Sequence, residues 1–244
     1  MPEPSRPLRG DAVRHKAHAL ISQSRETQAN LSFFLVLLVL IGFVLPAMGF
    51  AREDERRYSD IGFTVLLISG AAIAWGHRRL MALSGLVGSV AIAVRWTVYL
   101  KPNPTLALWA DGATLVAILV IALVLLTQIF RKGPVNSYRI QGAIAVYLLF
   151  GSVWAHAYHI VAVLHPGSFN VPGRDMSSAV EWLYYSFVTL TTVGYGDITA
   201  ELPIARMLSV GEALTGQLYL AVLIARLVAM EVVSWQESGD QKSR

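Results

Sequence analysis

The stretch that decides the fold is the string TTVGYGD, which occupies residues 191–197. It lies between a short helix-forming segment and a final long apolar segment, and glycines flank Tyr195 on both sides. Glycine adopts backbone conformations with positive φ at little steric cost, so such a strip can turn successive carbonyls toward one side. Non-helical backbone is tolerated inside a membrane only where it is buried in protein or lines a water-filled path. The string therefore predicts a backbone strip that faces such a path.

The composition indicates a membrane protein. Of 244 residues, 55% are hydrophobic and 15% are charged, and the mean hydropathy is +0.52, which is too apolar for an ordinary soluble domain. The net charge is +4, but the charges lie mostly at the ends of apolar blocks, a membrane pattern that argues against nucleic-acid binding. The chain contains no cysteine, which excludes disulfides, thiolate metal sites and cysteine nucleophiles.

Six apolar segments are candidates to cross the hydrocarbon core, which is roughly 30 Å thick. They cover residues 31–50, 59–75, 80–100, 106–130, 138–164 and 203–233. We predict an all-α membrane fold with a basic tail at 1–29, four peripheral helices at 30–132, a second module at 133–233 and a short tail at 234–244. Twelve basic residues fall on the side of the termini and six on the other. Both termini should therefore be cytoplasmic, in a multi-pass protein of the plasma membrane.

The basic tail allows two interpretations. Val13, Ala17, Leu20 and Ile21 fall at helical spacing, which is typical of an amphipathic helix on the inner membrane surface. A loosely ordered basic segment fits the same residues equally well.

A short helix is predicted directly before the string. Ser178 and Glu181 have capping-box spacing, so the helix should begin just after Ser178. A helix of about twelve residues, roughly 18 Å long, is too short to span and should re-enter from the outer side. The negative end of its dipole would then face a cation near the membrane centre.

Residues 191–197 resemble the selectivity filter of potassium channels. Thr192, Val193, Gly194, Tyr195 and Gly196 match the family signature without departure, and the resemblance extends over about residues 178–228. It implies a filter made of Thr191, Thr192, Val193, Gly194, Tyr195, Gly196 and Asp197. It also implies that potassium binds at Thr192, Val193, Gly194 and Tyr195.

The resemblance assigns further roles around the filter. It implies that Trp182, Tyr184, Tyr185 and Val188 support the filter, although Val188 stands where some bacterial relatives have a glutamate that pairs with the outer aspartate. Gly216 falls where the family often has a hinge. Gln217, Leu220 and Ile224 follow it at helical spacing and are candidates to line the cavity.

The function implied is passive potassium conduction by a homotetramer, because one strip supplies a quarter of each carbonyl ring. We expect no cofactor beyond potassium in the filter, membrane lipids as surroundings, no nucleic-acid partner and no cytoplasmic ligand-binding domain. Voltage-gated relatives carry an arginine ladder in the fourth helix, whereas residues 106–130 carry one charge, Asp111. We therefore predict weak voltage gating.

Two groups of polar residues inside the predicted spans need partners. Arg95 and Asp111 lie at similar depths, and charges within a membrane usually pair, so a structural salt bridge between them is expected. His156 and His159 are one turn apart, and with Glu212 they could form a proton-sensitive or metal-binding cluster. Hydrogen-bonded structural histidines are the favoured interpretation.

The sequence leaves three rival functions open. A membrane enzyme is disfavoured because the chain contains neither His-Glu-x-x-His nor Gly-x-Ser-x-Gly. A potassium transporter subunit would usually repeat the pore module within one chain, and here the module occurs once. A channel-like protein that does not conduct alone would have the same sequence features.

Overall fold

A computed structural model describes residues 30–48, 52–73, 78–130, 137–173, 176 and 178–242. The basic tail predicted at 1–29 lies outside the described residues. The helices are α1 (Asn30–Ala47), α2 (Arg52–Ile73), α3 (Arg78–Leu100), α4 (Pro104–Ile129), α5 (Ser137–Leu164), α6 (Ala179–Leu190) and α7 (Pro203–Lys242). Two short strands, β1 (Phe169–Asn170) and β2 (Thr199–Ala200), pair antiparallel.

The predicted all-α membrane fold is confirmed. Five of the described helices, α1, α3, α4, α5 and α7, are long and apolar enough to cross a membrane. The remaining predicted span, residues 59–75, lies largely within α2. That helix begins earlier, at Arg52, because the charged residues before the apolar segment are themselves good helix formers. The count of six spans stays a prediction.

The last helix is longer than predicted. It continues to Lys242 rather than stopping near residue 233, so most of the predicted tail at 234–244 is helical. No proline follows Pro203 in the sequence, and without a proline nothing in the chain chemistry forces the helix to end.

Helix α4 is the centre of the main hydrophobic core. Its residues Ile118, Ile121 and Leu125 are almost fully buried, and they belong to one cluster with Leu31 of α1 and Leu149 of α5. The start of α4 is fixed locally, because the Asn103 side chain accepts a hydrogen bond of 2.9 Å from the Thr105 amide. The three other peripheral helices and α5 thus pack around α4.

A smaller aromatic core holds the outer region together. Tyr158 of α5, Trp182 and Tyr185 of α6, and Ile198 are buried in it, with Phe169 packed against them. Phe169 pairs with Ala200 in the β ladder. The ladder therefore ties the loop before α6 to the segment that follows residues 191–197.

Candidate functional site

Helix α6 begins where the capping signal predicts. The Ser178 hydroxyl accepts a hydrogen bond of 3.1 Å from the Val180 amide, and the helix runs for 12 residues, Ala179–Leu190. Its length and start are confirmed. Helix α5 approaches it closely, because a Cβ added at Gly151 would lie 2.6 Å from the Phe187 ring. This contact holds the short helix against the larger core.

The strip at residues 191–197 has an alternating backbone. Thr192, Gly194 and Gly196 have φ of 60°, 57° and 77°, whereas the residues between them keep negative φ. Alternation of this kind turns successive amide N–H groups toward one side and the carbonyls toward the other. Thr192 is a β-branched residue at positive φ, a costly conformation that persists only where its surroundings impose it.

The amide groups of the strip point toward α6. The amides of Val193 and Gly194 donate to the Val188 carbonyl at 3.0 and 3.3 Å, and the Thr192 amide donates to the Thr189 carbonyl at 2.9 Å. Within the part of the chain that the structure describes, no hydrogen bond is donated to the carbonyls of residues 192–195. These carbonyls are therefore available to an external partner, which can be a hydrogen-bond donor or a cation.

The strip lies at the surface of the single chain. Residues 191–196 are all exposed, and the exposed fraction reaches 53% for Val193 and 71% for Tyr195. The strip is thus accessible along its length rather than enclosed by its own chain.

The three aromatic residues predicted to support the strip all lie on α6, and Tyr184 reaches the strip directly. Tyr184 donates a hydrogen bond of 2.8 Å to Asp197, and the hydroxyls of Tyr185 and Ser209 lie 2.8 Å apart. The Trp182 indole donates to the Met176 carbonyl at 2.9 Å. The fourth residue, Val188, contributes through its backbone carbonyl, a role that side-chain identity could not reveal.

Gly216 makes a close contact between α7 and the end of α6. A Cβ added there would lie only 2.3 Å from the Leu190 carbonyl oxygen. The close packing of α7 against the end of α6 therefore requires a glycine at this position. The hinge role stays a prediction. One residue further on, the Gln217 amide reaches the Thr192 hydroxyl at 3.5 Å. Leu220 and Ile224 are exposed on α7.

The predicted cluster of His156, His159 and Glu212 is wrong. The two histidines direct Nδ1 toward Asp111, at 3.4 Å from His156 and 2.9 Å from His159. Residues three apart on a helix share a face, whereas Tyr158, two residues after His156, points elsewhere. It is Tyr158 that donates to Glu212.

Glu212 is fully buried beside α6 instead. Its second carboxyl oxygen lies 2.5 Å from the Ser186 hydroxyl, which is also 2.7 Å from the Gly151 carbonyl. Glu212 therefore joins α5, α6 and α7 through hydrogen bonds directly behind the strip.

The predicted salt bridge between Arg95 and Asp111 is also wrong. Arg95 pairs with Asp60 of α2, with its Nε 2.5 Å from the carboxylate, and its guanidinium lies 4.7 Å from the centre of the Phe63 ring. Helices α2 and α3 are sequence neighbours and pack together, which brings these side chains into contact. Sequence reasoning missed Asp60 as the partner of Arg95. Its position inside the predicted span 59–75 was the one sequence signal that could have identified it.

The comparisons with known proteins concern this same region. Residues 143–232 match the family model described as "Ion channel". Among curated proteins, the voltage-gated potassium channel of Aeropyrum pernix is 31% identical over 96 residues, which are 39% of this chain and 30% of that protein. No solved structure matches the chain significantly.

Two further relatives match shorter stretches. The two pore potassium channel c of Oryza sativa subsp. japonica is 34% identical over 64 residues, 26% of this chain and 14% of that protein. Protein LctB of Geobacillus stearothermophilus is 32% identical over 81 residues, 33% of this chain and 58% of that protein. The chain thus spans less than two thirds of each of these relatives.

Proposed function

We propose that the chain is a subunit of a passive, potassium-selective channel, since its residues 143–232 match the ion-channel family model. The observation that carries the proposal is the alternating backbone of the strip, whose carbonyls accept no hydrogen bond from the described residues. Rings of such carbonyls can replace the water shell of a cation. The matched family is one of channels, not of enzymes.

The proposed filter consists of residues 191–197, with potassium held by the carbonyls of Thr192, Val193, Gly194 and Tyr195. Asp197 would hold negative charge at the outer mouth, where Tyr184 orients it. Gln217, Leu220 and Ile224 would line the cavity on the inner side, with Gly216 as the hinge above them. No cofactor besides potassium is required by this arrangement.

We propose a homotetramer, since one strip supplies only one quarter of a closed ring. The exposed Val193 and Tyr195 support this, because in a tetramer the strips would face a common axis and cover one another. We place the protein in the plasma membrane, surrounded by lipid, with both termini cytoplasmic. Native mass spectrometry of the purified protein should then show four times the chain mass of 26.7 kDa.

Ion flux into liposomes tests the function directly. Potassium-loaded liposomes that contain the protein should take up rubidium rapidly. In electrical recordings, replacing external potassium with sodium should shift the reversal potential as expected for a potassium electrode. Equal permeability to sodium and potassium would contradict the proposed selectivity. Absence of flux from a verified tetramer would instead favour a channel-like protein that needs a partner.

A further inference from the structure

A cavity of about 740 Å³ lies between the peripheral helices and α6. Helices α1 to α5 all contribute to its wall, and the first turn and a half of α6, from Ser178 to Leu183, closes it on the side of the strip. This volume is within the range of about 300–1,000 Å³ that small-molecule sites occupy. A molecule in this cavity would touch α6 without entering the proposed ion path.

The wall of the cavity combines apolar surface with a few charged groups, which is the usual composition of a small-molecule site. Leu38 and Ile41 of α1 and Val98 of α3 supply aliphatic surface, and Phe63 and Trp182 supply aromatic rings. The carboxylates and the guanidinium are gathered at Asp60, Arg95, Asp111 and Glu181. A ligand with an apolar body and one charged end fits this distribution.

The charges of the lining residues leave an excess of negative charge at Asp111. Arg95 compensates Asp60, since the two form a salt bridge of 2.5 Å. Glu181 lies in the first turn of α6, where a carboxylate offsets the partial positive charge of the helix start. Asp111 instead faces His156 and His159, which carry no formal charge in their neutral form.

Asp111 retains room for another donor. A carboxylate offers about four lone-pair positions, and the two histidine nitrogens occupy one on each oxygen. The exposed fraction of the Asp111 side chain is 15% and that of His159 is 34%, and both residues line the cavity. The face of an aromatic ring such as Trp182 also attracts a cation.

We propose that this cavity binds a small amphipathic organic cation, with its ammonium group against Asp111 and its apolar body along α1 and α3. The charge distribution favours this occupant over a lipid acyl chain, which would fill the apolar part and leave Asp111 without a cation. The site is separate from the proposed filter, so binding can be measured whether or not the protein conducts.

Isothermal titration calorimetry on the purified full-length protein in detergent tests the proposal. The probes are phenethylamine and its uncharged counterpart 2-phenylethanol, each corrected for binding to empty micelles. The amine should bind saturably, at one molecule per chain, and at least about tenfold more tightly than the alcohol, since a hydrogen bond to a charged group is the stronger kind. Equal affinity for both probes would show an apolar pocket suited to a lipid chain and would overturn the proposal.

Three variants locate the site. Asp111→Asn should reduce amine affinity about tenfold or more and leave that of the alcohol nearly unchanged. Ala107→Phe keeps every charge but fills part of the cavity, so it should weaken the binding of both probes. It takes the place of Asp111→Asn as the test if that variant does not fold. Glu201→Gln, which removes an exposed outer carboxylate far from the lining residues, should change nothing. Amine binding that survives both Asp111→Asn and Ala107→Phe would place the amine elsewhere and refute the site.

Discussion

Helices α4 and α7 differ sharply in how much of their surface their own chain covers. Of the apolar span of α4, 44% is buried inside the chain, whereas for α7 the value is 11%. Helix α4 is covered along one side by its neighbours and carries no basic residue. Helix α7 packs against the strip and α6 through one side, and its apolar residues Met207, Leu214 and Leu218 are exposed.

This difference indicates that the two regions are completed in different ways. The peripheral part of the chain finishes its core by itself, around α4. In the region of the proposed filter, the strip and much of the last helix are exposed in the single chain, where the proposed tetramer and lipid would cover them. Substitutions in the two regions should accordingly affect different properties: stability of the chain in one, assembly and ion selection in the other.

The largest effect is expected at Gly194. Gly194→Ala places a side chain at φ 57° within the strip, and Gly167→Ala places one at φ 84° in the outer loop, with open space around both. The backbone strain is comparable, about 1–2 kcal/mol, but only Gly194 belongs to the carbonyl strip. We expect potassium-over-sodium selectivity to be lost in Gly194→Ala and retained in Gly167→Ala, as measured by reversal potentials in planar bilayers. Retained selectivity in Gly194→Ala would argue against this filter.

A second effect concerns the contact between α7 and α6. Gly216→Ala forces a Cβ against the Leu190 carbonyl, whereas Gly211→Ala, on the same helix, meets the Trp154 ring at an ordinary 3.5 Å. We expect Gly216→Ala to destabilise the assembly by about 3 kcal/mol, and Gly211→Ala to be neutral or stabilising because alanine favours helix. Thermal dissociation of the oligomer in detergent measures both. Equal midpoints for the two variants would show that α7 shifts freely at Gly216.

Glu212 provides a third and smaller effect. Glu212→Ala removes the buried partner of Tyr158 and one partner of Ser186, and an unsatisfied buried hydroxyl costs about 1–3 kcal/mol. Glu212→Gln keeps a group of the same shape that can accept from Tyr158 and donate to Ser186. The unfolding midpoint should therefore fall in Glu212→Ala and change little in Glu212→Gln. A large loss in Glu212→Gln would mean that the carboxyl itself is required.

The features that could be predicted from sequence are local ones. The cap at Ser178, the length of α6 and the glycine positions of the strip are encoded within a few residues of one another, where backbone geometry depends on neighbours in the chain. The start of α4 is likewise fixed locally, because Asn103 caps the helix and Pro104 occupies its first turn.

The features that were missed depend on how helices pack. Hydropathy gives the depth of Arg95 and Asp111 in a membrane, but not the direction in which their side chains point. In the structure, Arg95 pairs with Asp60, and Asp111 faces two histidines. The contributions of Val188 and Gly216 were not predicted for a different reason. Val188 acts through its backbone carbonyl, and Gly216 acts through the absence of a side chain.

A fourth prediction tests whether the peripheral part communicates with the strip. His156 and His159 face Asp111, with Arg95, Asp60 and Glu181 around the same cavity, and His159 contacts Trp182 of α6 at 6.0 Å between ring centres. If protonation of these histidines is transmitted to the strip, current should change when the external solution is acidified. The double variant His156→Gln with His159→Gln should flatten the response, and His165→Gln, in the exposed outer loop, should not. An unchanged response in the double variant would make the histidines purely structural.

The smallest effect expected is the dependence of opening on voltage. Moving one charge across the membrane is worth about 2.3 kcal/mol per 100 mV, and steep gating uses three to four charges in each subunit. Helix α4 contains no arginine that could carry gating charge. Arg95 of α3 is held in place by its salt bridge to Asp60 of α2. A neutral pair that moves together transfers almost no net charge, and moving Arg95 alone would leave Asp60 buried without its partner. We therefore expect less than about one gating charge per subunit, both in the wild type and in Arg95→Gln with Asp60→Asn, which keeps the pair neutral. Because ion occupancy of a filter can itself respond to voltage, gating currents rather than open probability are the measurement that decides. Several charges per subunit in the wild type, lost in the double variant, would show that the peripheral helices sense voltage and that α4 and its neighbours are more than a scaffold.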